Sequence, residues 1–209
     1  MSVVQPEGNY YDKYNSGNPI ERKLMNGFFS SAAELLRLAP VGKDASILEA
    51  GCGEGNFTAF LRKCYPSNRI DAFDIGETVV ESARISHKSE NIRFSVGDIY
   101  AINASDSAYE LVCASEVLEH TEEPVRALSE LERVSGRFVL VTVPNEPLWR
   151  ILNMCRGAYL KDFGNTPGHI QHWNKRKFSQ MVKKTGLKVV KVRKSLPWLQ
   201  FLLEKRSCS

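Results

Sequence analysis

The sequence contains no long apolar run, and none approaches the roughly 18–20 unbroken apolar residues that a membrane-spanning helix requires. Residues 1–8 also lack the basic-then-apolar pattern of a secretion signal, so export is not expected. The five cysteines are odd in number and form no Cys-x-x-Cys pair, which argues against a disulfide framework or a zinc site. These absences together predict a protein of the reducing cytoplasm.

Acidic residues are scarce in the last part of the chain. From Arg150 onward there are 14 Lys and Arg but 2 Asp and Glu, whereas residues 1–149 carry 14 basic and 22 acidic residues. A basic tail of this kind favours an anionic partner such as nucleic acid, phospholipid or a phosphorylated substrate, although a solvated basic face is commoner. No clustered aromatics interleave these lysines, as stacking on single strands would need, so nucleic acid is not favoured.

The hydrophobic periodicity alternates between that of strands and that of helices along 209 residues, enough for one α/β domain. Strands are predicted at 46–50, 69–73, 92–96, 110–114, 138–143, 187–192 and 199–203, and helices at 20–38, 56–64, 77–86, 122–134, 147–155 and 175–185. We expect a Rossmann-like α/β fold: a seven-stranded, mostly parallel sheet with an antiparallel closing hairpin and helices on both faces.

The expected domain organisation is a single domain over residues 1–209. It would carry an N-terminal lid and helix at 1–40 and a substrate-side insertion at 144–173. Thr121 is expected to cap the fourth helix, and Gly186 to close the last helix at its C′ position.

A glycine-rich turn follows the first strand, with the sequence Glu49-Ala50-Gly51-Cys52-Gly53-Glu54-Gly55. Glycines allow a tight bend and let a ligand approach the backbone closely. Many nucleotide-binding folds use such a turn, so a dinucleotide oxidoreductase is one interpretation of it. Glu49 and Glu54 would repel a pyrophosphate, however, whereas Glu49 could meet a cationic amino group.

Acidic residues also end the next two strands. Asp74 comes 23 residues after Gly51, where a carboxylate can accept both hydroxyls of a ribose. Asp98 could accept from an adenine amino group, with Ile75 and Ile99 on the two faces of the ring.

The glycine turn, Asp74, Asp98 and the strand at 109–112 occur in the same order as in the class I S-adenosylmethionine-dependent methyltransferases, which the sequence resembles over about residues 47–143. The resemblance implies S-adenosylmethionine as cofactor and S-adenosylhomocysteine as product. Glu49 and Gly51 would hold the methionine end, Asp74 the ribose, and Asp98 with Ile99 the adenine. The full set of implied cofactor-binding residues is Glu49, Gly51, Cys52, Gly53, Gly55, Asp74, Ile75, Asp98, Ile99, Ser115 and Glu116.

The fourth strand is followed by Ser115-Glu116-Val117-Leu118-Glu119-His120, at the sheet edge that faces the ligand crevice. A helical turn starting at Glu116 would place Glu116, Glu119 and His120 on one face, where they could bind a divalent cation. A histidine from 167–173 could add a fourth ligand. The alternative is that these histidines line the crevice or pack beneath Trp173.

This run is similar to one in the ubiquinone-biosynthesis O-methyltransferases and in the small-RNA terminal 2′-O-methyltransferases. The second group implies Mg²⁺ at Glu116, Glu119, His120 and His169. His120 and His169 are also the candidate catalytic residues, because an oxygen acceptor must lose its proton to a base or to a metal-bound group. The candidate substrate-lining residues are Tyr11, Tyr14, Trp149, Tyr159 and His172.

The expected function is therefore methyl transfer to a hydroxyl of a small molecule. Two alternatives remain open besides the oxidoreductase: an RNA 2′-O-methyltransferase, which the basic tail favours, and a non-catalytic cofactor-binding subunit that activates a partner.

Overall fold

A computed structural model describes residues 17–155, 157 and 159–206 of the chain. The strands are β1 Ser46–Ala50, β2 Arg69–Asp74, β3 Ile92–Val96, β4 Tyr109–Ser115, β5 Ser135–Pro144, β6 Leu187–Ser195 and β7 Trp198–Lys205. The helices are α1 Pro19–Leu36, α2 Asn56–Cys64, α3 Glu77–Ser86, α4 Pro124–Val134, α5 Leu148–Cys155 and α6 Lys175–Val182, with short 3-10 turns at Leu118–His120 and Leu160–Asp162. No helix in these ranges is both long and apolar enough to cross a membrane.

The strands form one sheet in the order β3-β2-β1-β4-β5-β7-β6. β1 to β5 pair in parallel, and β7 runs antiparallel to both β5 and β6. The chain leaves β1 toward β2 and β3, then returns to the other side of β1 through β4. The predicted fold class is thus confirmed, and the strand order reverses between β1 and β4, where such sheets bind ligands.

Apolar side chains cover both faces of the sheet. In β1, Ile47 belongs to the cluster under α1 and α2, whereas Leu48 belongs to the cluster under α4 and α6. Neighbouring residues of a strand point to opposite faces, so a strand covered on both sides reads as a continuous apolar run. Cys113, in β4, is fully buried and not in a disulfide.

The predicted cap of the fourth helix is wrong. α4 begins at Pro124 with Glu123 at its N-cap, and the Thr121 hydroxyl donates to the backbone oxygen of Leu118 at 2.7 Å. Proline fits the first helical position because it has no N–H to leave unpaired and its φ is already helical. Thr121 therefore ends the turn at Leu118–His120.

Gly186 does not close α6 as a left-handed residue. The helix ends at Val182, and the backbone N–H of Gly186 donates to Oε2 of Glu132 at 2.9 Å. A Cβ at this position would lie 2.1 Å from Oε1 of Glu132. A side chain here would therefore displace that carboxylate from its hydrogen bond to the backbone.

Candidate functional site

A pocket opens at the carboxyl ends of β1, β2 and β4, beside the point where the strand order reverses. Every predicted cofactor-binding residue except Gly55 lines it: Glu49, Gly51, Cys52, Gly53, Asp74, Ile75, Asp98, Ile99, Ser115 and Glu116. The pocket is also lined by residues that were not predicted from the sequence as part of it: Asn56, Phe57, Phe73, Gly97, Tyr100, Val117 and Thr121. Most of them are sequence neighbours of predicted residues, which is the signal that could have found them.

The glycine turn needs glycine for two separate reasons. Gly51, Gly53 and Gly55 have φ of +73°, +50° and +83°, a region that residues with a Cβ rarely adopt. A Cβ at Gly51 would also lie 2.4 Å from Cγ2 of Val117 across the pocket. Gly55, at the N-cap of α2, packs beneath the turn, where a Cβ would meet the His87 ring at 2.7 Å. Gly55 thus shapes the turn from outside the pocket.

Glu49 is a buried carboxyl at the floor of the pocket, with 1% of its surface exposed. Burial raises its pKa to about 8, the Thr58 hydroxyl that donates to Oε2 opposes this rise, and the charge of Asp74 adds to it. A buried carboxylate is costly without a counter-charge. The site is therefore electrostatically suited to a cationic group.

Asp74 joins the glycine turn to the end of β2. Its Oδ2 accepts from the backbone N–H of Gly53 at 2.9 Å, and its Oδ1 accepts from Gly76 at 3.0 Å. Each carboxylate oxygen can accept more than one hydrogen bond, so both oxygens retain acceptor capacity toward a ligand. Asp74 is held in place before any ligand arrives.

Two further predicted residues lie at the rim. Asp98 accepts from the backbone N–H of Tyr100 at 2.8 Å through Oδ1. Ile75 is 53% exposed although it is a large apolar residue at the pocket edge. Both arrangements suit a planar apolar ring with a polar edge.

The segment after β4 does not form the predicted helical face. Glu116 has a left-handed φ of +61°, and its N–H donates to the backbone oxygen of Thr142 at 3.1 Å. The chain bends there and begins its turn only at Leu118. Glu116 consequently lines the pocket apart from Glu119, which is fully buried.

Glu119, His120 and His169 do come together. Their potential ligand atoms all lie within 4.8 Å of one another, and the two imidazole rings meet edge to face with centroids 4.9 Å apart. Glu116 is not part of this group, and neither is His172. The predicted cluster is therefore present with three of its four proposed ligands.

The tautomer of His120 follows from one hydrogen bond. Its Nδ1 lies 2.9 Å from the backbone oxygen of Gly168, and a carbonyl oxygen can only accept. Nδ1 therefore carries the hydrogen, and Nε2 holds the basic lone pair of the neutral ring. His120 also lines the pocket.

The loop carrying His169 is bound directly to the turn carrying His120. The backbone N–H groups of Ile170 and Gln171 donate to the oxygen of Glu119 at 2.9 and 3.1 Å. The side-chain amide of Gln171 donates to the oxygen of Thr121 at 3.1 Å. Segments about 50 residues apart in sequence are thus held together by backbone contacts.

The predicted substrate residues lie farther out. Trp149 donates to Oγ1 of Thr166 at 2.9 Å and lies against the His169 ring, with centroids 5.8 Å apart. Tyr159 precedes the turn at Leu160–Asp162, and Nδ1 of His172 lies 3.9 Å from Oε1 of Glu146. None of the three lines the pocket, and Tyr11 and Tyr14 lie outside the described residues.

Comparison with protein families gives one clear match. A family model described as a methyltransferase domain matches residues 25–192. The match covers most of the chain, including the glycine turn, Asp74, Asp98 and both histidines of the cluster.

Curated relatives match over part of their length. The chain is 33% identical over 116 residues to an uncharacterised 37.1 kDa protein in a transposon of Streptomyces fradiae, covering 52% of this chain and 32% of that one. It is 32% identical over 107 residues to a malonyl-[acyl-carrier protein] O-methyltransferase of Paenibacillus, covering 47% and 39%. The match to a trans-aconitate 2-methyltransferase of Variovorax paradoxus is 27% over 126 residues, covering 58% and 48%. The matched region thus spans about a third to a half of these relatives.

Solved structures share the fold. A complex of the Haloferax volcanii Trm112 methyltransferase activator with a methyltransferase matches with a TM-score of 0.71 and 14% identity, covering 90% of this chain and 93% of the other. The magnesium protoporphyrin IX methyltransferase of Synechocystis, solved with S-adenosylhomocysteine, matches with a TM-score of 0.69 and 16% identity, covering 93% and 91%.

Proposed function

Because the chain belongs to the family of methyltransferase domains, we propose that it transfers a methyl group from S-adenosylmethionine to a hydroxyl oxygen of a small molecule. One observation carries the proposal. The pocket is lined by the glycine turn, by the buried Glu49 and by Asp74, which is already hydrogen-bonded to that turn.

The pocket fits this cofactor by shape and charge. Carboxyl groups of Glu49, Asp74, Asp98 and Glu116 line it, and the cofactor carries positive charge on its amino group and its sulfonium. A backbone without Cβ atoms at Gly51 and Gly53 leaves room for close approach. Ile75 and Ile99 offer apolar contacts to an adenine. The carboxyl groups of Asp74, Asp98 and Glu116 would repel the pyrophosphate of a nicotinamide dinucleotide.

The bound cofactor supplies a methyl group already activated for displacement. The chain's part is to hold the acceptor in line with that group and to take the acceptor's proton. Nε2 of His120 is the atom that would accept the proton, because Nδ1 is committed to the oxygen of Gly168. That carbonyl also stabilises the charged ring, and the edge-to-face contact with His169 fixes the ring plane.

Attack through oxygen is supported by the names of relatives. Several matched relatives are O-methyltransferases that act on malonyl-[acyl-carrier protein]. A carboxylate acceptor would need no base, whereas a hydroxyl acceptor would. The effect of removing His120 therefore distinguishes the two acceptor classes.

Magnesium does not fit the cluster. Mg²⁺ prefers an octahedron of oxygen ligands, whereas the group here offers two imidazoles and one carboxylate, and Glu116 lies outside it. The expectation of a Mg²⁺ site is not supported, and no catalytic step is assigned to it.

The test measures ligand choice and then transfer. Titration calorimetry of the chain with S-adenosylhomocysteine should give saturable binding, and NAD should give none. Asp74→Asn should weaken the binding of S-adenosylhomocysteine by about tenfold, because one charge-assisted hydrogen bond is lost. Binding of NAD instead, or binding unaffected by Asp74→Asn, would contradict the assignment of the pocket.

Transfer is assayed with radiolabelled S-adenosylmethionine and a panel of hydroxyl, carboxyl and RNA acceptors. Label on a small hydroxyl compound supports the proposal. Label on RNA, with binding that falls steeply with salt, would replace it by the RNA alternative. Cofactor binding without transfer to any acceptor would favour the non-catalytic subunit.

A further inference from the structure

Helix α5 reverses the usual pattern of a surface helix, which buries its apolar stripe. Its buried residue is the polar Asn153, at 4% exposure. Ile151, Leu152 and Met154 are instead 46%, 37% and 37% exposed. Trp149 of the same helix packs inward against Trp198, but these three apolar side chains face solvent.

The reversal is held in place by specific hydrogen bonds. The side-chain amide of Asn153 donates to the backbone oxygen of Gly164 at 2.8 Å, and Nε of Arg150 donates to the oxygen of Phe163 at 2.9 Å. A Cβ on Gly164 would lie 2.2 Å from the backbone oxygen of Arg150. The loop after α5 is consequently seated closely on the polar side of the helix.

Phe163 projects from this loop. It is 72% exposed and has a left-handed φ of +51°, a strained conformation that persists only where its surroundings enforce it. Leu160, just before it, is 60% exposed, and Ile170 is 44% exposed. We define the apolar knob as Ile151, Leu152, Met154, Leu160, Phe163 and Ile170. Clustered exposed apolar side chains of this kind mark an interaction surface.

The charges around the apolar knob are mostly positive. Arg150 donates to the backbone oxygen of Phe163, and Lys161 and Asp162 are both exposed between Leu160 and Phe163. Lys177, in the first turn of α6, acts electrostatically on His172 together with Arg150. From Arg150 to the end, basic residues outnumber acidic ones 14 to 2. A partner surface that matches the apolar knob and its basic neighbours would carry negative charge on the outside and an apolar layer just beneath that charge.

We propose that the apolar knob docks onto the surface of an anionic lipid bilayer. Phe163 and its neighbours would enter the boundary between headgroups and acyl chains, and the surrounding lysines and arginines would meet the lipid phosphates. This is attachment from one side, which needs no spanning helix.

The docking surface adjoins the acceptor side of the pocket. Trp149, on α5, lies against His169, and His169 packs on His120, which lines the pocket. Docking would therefore turn this side of the pocket toward the bilayer. The proposal concerns the surface alone and does not depend on the reaction.

The test is cosedimentation of the full chain with vesicles of phosphatidylcholine alone and with phosphatidylglycerol added. Binding should require the anionic lipid and fall when salt is raised from 0.05 to 0.5 M, as expected for roughly a threefold shorter screening length. Phe163→Glu should lower the partition coefficient at least about tenfold, since it loses the burial of a phenyl group. Ile85→Glu is the matched control, because Ile85 is 65% exposed on α3, away from the apolar knob. This variant should change the partition coefficient little.

A second variant tests the proposal by a signal that appears on binding rather than by a loss of binding. Phe163→Trp should give tryptophan emission that shifts to the blue with anionic vesicles and stays unchanged with neutral ones. Absent vesicle binding, equal binding to neutral vesicles, or an equal loss in Ile85→Glu would overturn the proposal. Self-association that Phe163→Glu abolishes, without vesicle binding, would instead assign the face to a second copy of the chain.

Discussion

The two walls of the pocket are built in different ways. The wall proposed to hold the cofactor comes from the tips of β1, β2 and β3, whose side chains are placed by the strands and by one glycine turn. The opposite wall, proposed to hold the acceptor, comes from a bent segment after β4. That segment is positioned by a loop about 50 residues later through bonds to Glu119 and Thr121.

Specificity for the cofactor and specificity for the acceptor therefore reside in different walls of the pocket. The cofactor wall depends on the backbone shape of the glycine turn and on carboxyl groups at strand ends, and short segments of the sequence indicate both. The acceptor wall depends on the His120 imidazole, which His169 contacts from a distant segment and behind which Trp149 packs. Changes to the first wall should alter affinity for the cofactor, and changes to the second should alter turnover.

The largest effect should come from Glu49→Gln. The free energy of unfolding of the native sequence should fall as pH rises from about 4.5 to 8, because the unfolded carboxyl ionises there while the buried one stays protonated. The free energy of unfolding of Glu49→Gln, relative to that of the native sequence, should rise by on the order of 5 kcal/mol between pH 4 and pH 9, as a pKa raised to about 8 implies.

Urea unfolding at the two pH values checks this, with the exposed Glu90→Gln as control. Glu49→Gln should also weaken S-adenosylhomocysteine binding because the countercharge to its amino group is lost. A variant as pH-sensitive as the native sequence would show that Glu49 ionises normally in the fold.

The next effect should be that of His120→Ala on the acceptor wall. Loss of a positioned base should lower turnover of a hydroxyl acceptor by about 10²–10⁴-fold. Calorimetry should show S-adenosylhomocysteine affinity within about threefold of the native value, since charge and shape on the cofactor wall are unchanged. His169→Ala should lower turnover less, because it only supports the His120 ring. Full activity of both variants would remove the histidines from the mechanism.

The smallest effect should be that of Gly51→Ala, which tests the contact between the walls. The added Cβ meets Val117 and sits at a left-handed φ, so cofactor affinity should fall about 30-fold. Val117→Ala in the same chain removes the clash but not the strained φ, and should restore part of that loss. If the double variant binds no better than Gly51→Ala, the two walls do not meet at this point.

Much of the fold could be predicted because its signals are local. Periods of two and 3.6 residues placed β1, α2, α3 and β3 at their observed bounds, since burial on a strand or helix repeats with its own geometry. The glycine turn and Asp74 were equally readable, because positive φ and strand-end position belong to short segments.

The succession of elements and the residues of the cofactor wall could be read from the sequence, since each lies in a short segment at the end of a strand and parallel strands end at the same edge of a sheet. Tertiary structure alone decided the acceptor wall and the apolar knob. The left-handed bend at Glu116 separates it from Glu119, and backbone bonds from the 168–171 loop bring His169 to His120. Ile151, Leu152 and Met154 face outward on α5, whereas Asn153 is buried with its hydrogen-bond partner at Gly164, and such a contact is fixed only once the chain has folded.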